Sequence, residues 1–153
     1  MVMILYFYNY LKQPWKCQEK VRYIMDTFYG NKPDALSGND DCGQMSAWYI
    51  FNTMGFYPTA PSSNAYNLGS PVLAAVDMKM SNGKYLRMTT GNWSARNVFV
   101  KEVYLNGKKY DKSYITYNDI KDGADLHFVM SSRPNYKRGV AERAVPPSVS
   151  EKR

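Results

Sequence analysis

The stretch GNDDCGQMSAWYIFNTMGFYPTAP, from Gly38 to Pro61, decides how this 153-residue chain is built. It opens on a turn of Asn, Asp and Gly, passes into a helical segment from Gln44 to about Met54, and stops at Gly55 and Pro58. Met45, Trp48, Tyr49, Ile50, Phe51 and Met54 leave that helix apolar around most of its circumference, as in a helix packed on several sides. After Pro61 the sequence changes class, from helix-period to strand-period patterning.

Upstream, Pro14 suits the first turn of a helix, where its missing N–H costs nothing, and Val21, Ile24, Met25 and Phe28 recur at helical spacing until Gly30 stops them. Two helices therefore flank one polar loop, Asn31 to Gly43, and two helices alone cannot bury the second one. Met1 to Leu11 is apolar and rich in Tyr, but it has no basic leader region, no small-residue cleavage site and no membrane-spanning length before Lys12. Ile4 to Tyr8 need partners to cover them, so the start reads as an interior segment of something longer.

Downstream, Val76, Met78 and Met80 alternate with Asp77 and Lys79, Asn82-Gly83 turns the chain, and Tyr85 to Met88 return. A second hairpin runs from Val98 to Leu105, turns at Asn106-Gly107 and returns through Lys109 and Tyr110. Ser113 to Tyr117 and Leu126 to Met130 read as further strands, with a polar turn from Asn118 to Asp125 between them. The expected class is α+β: helices and the polar loop in residues 1–60, antiparallel β-sandwich strands in 61–132, and a flexible basic tail in 133–153.

Composition agrees with a globular chain, at 44% hydrophobic and 22% charged residues. The net charge of +7 permits nucleic-acid binding, but five of the cations (Lys137, Arg138, Arg143, Lys152, Arg153) lie between Lys137 and Arg153 and the rest are scattered. Neither a nucleic acid nor a membrane is the expected partner. Cys17 and Cys42 lack the spacing of a zinc or redox site and read as two free thiols.

Chemistry converges only on the polar loop, which carries Asp34, Gly38, Asn39, Asp40, Asp41 and Gly43. Adjacent Cα atoms lie about 3.8 Å apart, whereas an acid and base acting on opposite faces of a sugar need roughly 6.5–9.5 Å between carboxyls. One aspartate can be a general base or bind a cation, with the acid supplied elsewhere; equally, the loop can be an Asx-rich turn that caps the helix beginning at Gln44. Asn39, Asp40 and Asp41 offer oxygen ligands without EF-hand spacing. His127 reads as a strand-face residue, and Asn92-Trp93-Ser94 matches a glycosylation sequon. Trp15 and Trp48 flank the loop in sequence and could stack on a sugar or pack in the core.

Read as a string, Gly38 to Tyr49, followed by Gly55-Phe56-Tyr57-Pro58 and Gly69-Ser70-Pro71, closely resembles the signature of glycoside hydrolase family 92, the α-mannosidases. The resemblance runs from about Tyr6 to Asn135, through Tyr8-Asn9-Tyr10, Gln13 to Lys16, Leu105 to Lys108, Lys112 to Ile115 and Phe128 to Met130. It implies a calcium-dependent, inverting exo-enzyme made of a β-sandwich and an (α/α)₆ barrel, secreted or periplasmic. Residues 1–60 would then be the terminal barrel helices. By position the resemblance puts the general base in the Asn-Asp-Asp turn, at Asp41 with Asp40 as its possible substitute. It makes Trp15, Gln44 and Trp48 candidate substrate contacts and Asn39 a candidate Ca²⁺ ligand. Where the family has a His-His pair this chain has Val2 and Met3, and the family's acid lies further upstream. The implied function is the C-terminal part of an α-mannosidase acting on terminal, chiefly α-1,2-linked, mannosides of N-glycans or mannan, inactive without the preceding portion of the same enzyme. The alternative is a non-catalytic carbohydrate-binding β-sandwich module.

Overall fold

The computed structural model describes residues 2–32, 36, 38–60 and 62–148. A 3₁₀ turn (Val2–Tyr6) runs into α1 (Phe7–Tyr10), and Lys12, at φ 59°, turns the chain into α2 (Pro14–Phe28), with Pro14 in its first turn. The third helix, α3 (Gln44–Thr53), follows the polar loop. The strands are β1 (Phe56–Tyr57), β2 (Ala65–Leu68), β3 (Ala75–Lys79), β4 (Tyr85–Gly91), β5 (Phe99–Leu105), β6 (Lys108–Lys109), β7 (Tyr114–Thr116) and β8 (Ala124–Ser131). A short helix, α4 (Tyr117–Ile120), precedes β8.

Two sheets form, one ordered β1-β2-β7 and the other β3-β4-β8-β5-β6. The first is antiparallel, but in the second β4 and β8 run parallel, with Leu86 opposite Ala124 and Met88 opposite Leu126. The α+β class with mainly antiparallel strands holds, and among the described residues the β4–β8 ladder departs from antiparallel pairing. Hairpin turns join only adjacent antiparallel strands, and the chain between β4 and β8 is long enough for a crossover that places the last strand in the middle. The hairpin readings hold: Asn106 (φ 51°) and Gly107 (φ 76°) are both left-handed, as a type I′ turn requires. Part of the polar turn after β7 is α4, closed by a capping box in which Thr116 and Asp119 bond each other's backbone N–H.

Phe56, Leu68 and Ile115 from the smaller sheet share one core with Leu86, Met88, Val103, Leu126, Phe128 and Met130 from the larger. Gly55 (φ 88°) is fixed there twice over, since a Cβ would also lie 2.9 Å from Pro71 Cδ. A second core gathers Tyr6, Cys17, Val21, Met25, Trp48 and Tyr57, and Phe51 packs against both. Helices and sheets are also joined by buried polar bonds. The Asn9 amide donates to Leu68 O (3.0 Å), Ser113 O (3.2 Å) and Asn67 Oδ1 (3.2 Å). Gln18 Oε1 accepts from Val100 N (3.0 Å), and Arg22 donates to Pro71 O (2.7 Å) and Ser70 Oγ (3.2 Å). The helices and strands therefore meet across a continuous interface, although the sequence places them in separate segments. Among the described residues no helix is long and apolar enough to cross a membrane.

The segment after residue 132, expected to be a flexible basic tail, is packed as far as residue 148; residues 149–153 lie outside the described part. Arg138 and Ala144 are buried, Arg138 donates to Lys112 O (2.8 Å), and Ala144 O accepts from both the N–H and the hydroxyl of Ser113 (2.8 Å each). Glu142 pairs with Lys12, and Tyr136 meets Trp15 edge to face. The charged, Pro-rich composition hides these few docking residues, because a strap needs contact points and no hydrophobic period.

Asn9→Ala would take a buried donor from Leu68 O and from Ser113 O, the second of which still accepts from Leu68 N (2.9 Å), and is expected to lower the unfolding free energy by about 1–3 kcal/mol, read by urea denaturation; an unchanged midpoint would contradict the assigned joint. Truncation after Ser132 is expected to lower the thermal midpoint and strip the Ser113 amide of hydrogen-exchange protection, and full protection in the shortened chain would show that the strap is dispensable.

Candidate active site

The polar loop between α2 and α3 owes its shape to three left-handed residues. Gly38 (φ 103°), Cys42 (φ 54°) and Gly43 (φ 77°) fold the chain back on itself just before α3. Cys42 is the costly one, since a side chain at positive φ is uncommon. A 3₁₀ turn, Asp41–Gly43, bridges loop and helix.

This fold gives the two adjacent aspartates different tasks. Asp40 reaches forward onto the start of α3, where Oδ1 accepts from Met45 N (2.7 Å) and lies 3.4 Å from Ser46 N, and Oδ2 accepts from Ser46 Oγ (2.5 Å). It satisfies N–H groups that a helix start leaves without partners. The Ser46 hydroxyl first, and the two backbone donors with it, hold the Asp40 carboxyl below its ordinary range. Asp40 is thus the capping residue of the Asx-turn reading. Asp41 is exposed, and although its backbone carbonyl accepts from Gln44 N, its carboxylate has no hydrogen bond or ion pair among the described residues. Its carboxylate is free to meet a water or a ligand. Asn39 and Gln44 are exposed on either side of the pair, whereas Asp34 lies outside the described residues.

Tyr29, the residue that ends α2, was not singled out from sequence. Its ring stacks on Trp48 (5.5 Å between centroids) and on Tyr49 (4.9 Å), both nearly parallel to it. Burial first, and the nearby charge of Asp40 second, raise its hydroxyl above the ordinary tyrosine value. Tyr29 and Tyr49 thus form a partly exposed aromatic wall beside the acidic turn. The available signal was an aromatic residue immediately after one helix and another inside the next.

The two candidate tryptophans fare differently from expectation. Trp48 is fully buried beneath Tyr29, so it supports the wall and offers no platform of its own. Trp15 sits at the opposite end of α2 against Tyr136, and at 1.5 Å per residue that end is about 20 Å from Tyr29. The loop does not bring Trp15 to Asp41, because nearness in sequence across a straight helix is not nearness in space. His127 lies on the outer face of the larger sheet, with Nδ1 2.7 Å from Thr89 Oγ1, as its strand-face reading requires.

These residues do not complete a calcium site. Calcium takes six to eight oxygen ligands, yet Asp40 spends both oxygens on the helix. Among the described residues no three His, Cys, Asp or Glu side chains gather to hold a metal. Asn39 can offer one oxygen to a set completed elsewhere. Cys17 and Cys42 are both free, the first buried and the second exposed beside Asp41.

Residues 1–132 match the model of the glycosyl hydrolase family 92 catalytic domain. A family 92 α-mannosidase from Bacteroides thetaiotaomicron is 66% identical and superposes with a TM-score of 0.94 over 97% of this chain and 20% of its own. A family 92 inverting mannosidase from the same species is 35% identical, with a TM-score of 0.91 over the same shares. An uncharacterized secreted glycosidase of Arthroderma benhamiae is 26% identical over 94% of this chain and 19% of its own length. The chain spans about a fifth of each of these relatives. A helix pair bearing an acidic turn, joined to two sheets in the arrangement of solved α-mannosidases, makes this chain a member of glycoside hydrolase family 92.

Proposed function

We propose that this chain is the part of an inverting α-mannosidase that carries the general base, and that Asp41 is that base. The observation that carries the reading is the free, exposed carboxylate of Asp41 on a turn clamped by its neighbour. Asp41 would take a proton from a water as the water oxygen bonds to the anomeric carbon. The glycosidic bond then breaks on the opposite face, and its oxygen takes a proton from an acid outside this segment. Asp40 holds the turn, and the Tyr29–Tyr49 wall offers stacking surface for a sugar ring.

The substrate class is terminal α-mannosides of N-glycans or mannan, with the α-1,2 linkage foremost, in a periplasmic or secreted enzyme. Support comes from the relatives: one α-mannosidase was solved with mannoimidazole, another carries inverting in its name, and a third is called secreted. Calcium enters this reading with Asn39 as one ligand and the remainder supplied by other parts of the enzyme, and no step above depends on it. Ile4, Phe7, Leu11, Tyr23, Phe28 and Ile50 expose large apolar surface on the helical side, which the preceding part of such an enzyme would cover.

The chain alone is expected to show no turnover of α-1,2-mannobiose with calcium and to gain it when mixed with the preceding part of a family 92 enzyme. Turnover by the chain alone would overturn the assignment of the acid to another segment. In the reconstituted enzyme Asp41→Asn is expected to lower kcat by about 10²–10⁴-fold at an unchanged thermal midpoint. Asp40→Asn should instead lower the midpoint. Because its folded-state pKa lies below the ordinary 3.8, Asp40's stabilisation is complete above pH 3.8 and fades as pH falls through the depressed value, so wild type and Asp40→Asn should converge in acid. The reverse pattern, with Asp40→Asn silent on stability and Asp41→Asn silent on rate, would exchange the two roles.

A further inference from the structure

We propose that the cleft between the β5–β6 hairpin and residues 135–138 binds a tetrahedral oxyanion, either free phosphate or a phosphate ester. It lies on the larger sheet and the strap, apart from the acidic turn, and it does not rest on the mannosidase reading. Its volume is about 150 Å³, several times the 30 Å³ or so that a water occupies in the liquid. Lys101, Lys109, Lys137 and Arg138 line it, against only Glu102 and Asp111.

The two acids offset only part of the charge of the four cations. Glu102 is engaged by the Tyr104 hydroxyl (2.9 Å) and by Lys109 (3.4 Å). Lys101 and Lys137 are exposed and in no ion pair among the described residues. Asn135 ties the backbones of these two lysines together, donating to Lys101 O (2.9 Å) and accepting from Lys137 N (3.0 Å). Arg138 forms the buried wall: it donates to Lys112 O (2.8 Å), and its Nε has no partner. Burial lowers its guanidinium to about 10, opposed by the charge of Asp111, so it is still cationic at neutral pH. Two unpaired lysines, tethered at the backbone beside a buried arginine, favour a compact multivalent anion over a diffuse one.

The test is calorimetric titration of the whole chain with inorganic phosphate and, separately, with glucose 6-phosphate, at ionic strength held constant with chloride. Saturable binding is expected, weakened about tenfold by Lys101→Glu and by Lys137→Glu. Both sites are exposed, so the variants should keep the parent's thermal midpoint. Equal affinity for the two probes identifies the phosphate group alone as the ligand, and preference for the ester adds recognition of what it carries. Absence of saturable binding, or binding that both reversals leave unchanged, overturns the proposal.

Discussion

The side-chain amide of Asn9 is buried where α1 meets the small sheet, and it donates to the carbonyls of both Leu68 and Ser113. Two strands thereby fix the orientation of a helix only four residues long, which has no stability of its own. Three residues earlier, the Tyr6 hydroxyl donates to Asn52 of α3, whose amide donates in turn to Trp48 O (2.7 Å). Trp48 supports Tyr29, and Tyr29 stands beside the acidic turn. A chain of buried polar bonds and stacked rings therefore runs from the sheet junction to the loop. Such bonds are costly to leave unmade, which is why they determine where the helices sit.

The acidic turn applies the same economy at its surface. Two neighbouring carboxylates with equal surroundings would repel and compete for the same donors. Here the left-handed residues Cys42 and Gly43 tip the first toward the helix start and leave the second in solvent. The local positive end of α3 absorbs the charge of Asp40. The turn is rigid because one acid is spent on structure, and the other is available because it is not.

Much of this was legible in the sequence, for reasons that differ by element. Both long helices announced themselves by period and by Pro14, Gly30 and Gly55, and the Asn-Gly turns marked their hairpins, because these signals are local. The strands β1 and β2 are too short to show alternation, and the parallel partnership of β4 and β8 has no local signature at all. The loop was readable as a site, but the division of labour between Asp40 and Asp41 depends on backbone angles at Cys42 and Gly43 that residue types only hint at. Trp15 misled because sequence proximity ignores the length of α2. The strap was hidden by its own composition: an arginine, a small residue and a carbonyl do the docking, and none of them forms a hydrophobic pattern.

The placement of β8 bears on the order in which the molecule can assemble. The last strand in the chain is the central strand of the larger sheet, with β4 on one side and β5 on the other. Until it has been synthesised and inserted, both neighbours carry an open row of hydrogen-bonding groups, and Leu86, Met88 and Val103 lack the Leu126 and Phe128 side chains that complete their core. Closure of the sheet thus waits for a contact of high sequence separation, a slow step that exposes sticky edges. During vectorial synthesis the acidic turn is therefore made before the strand that closes the larger sheet.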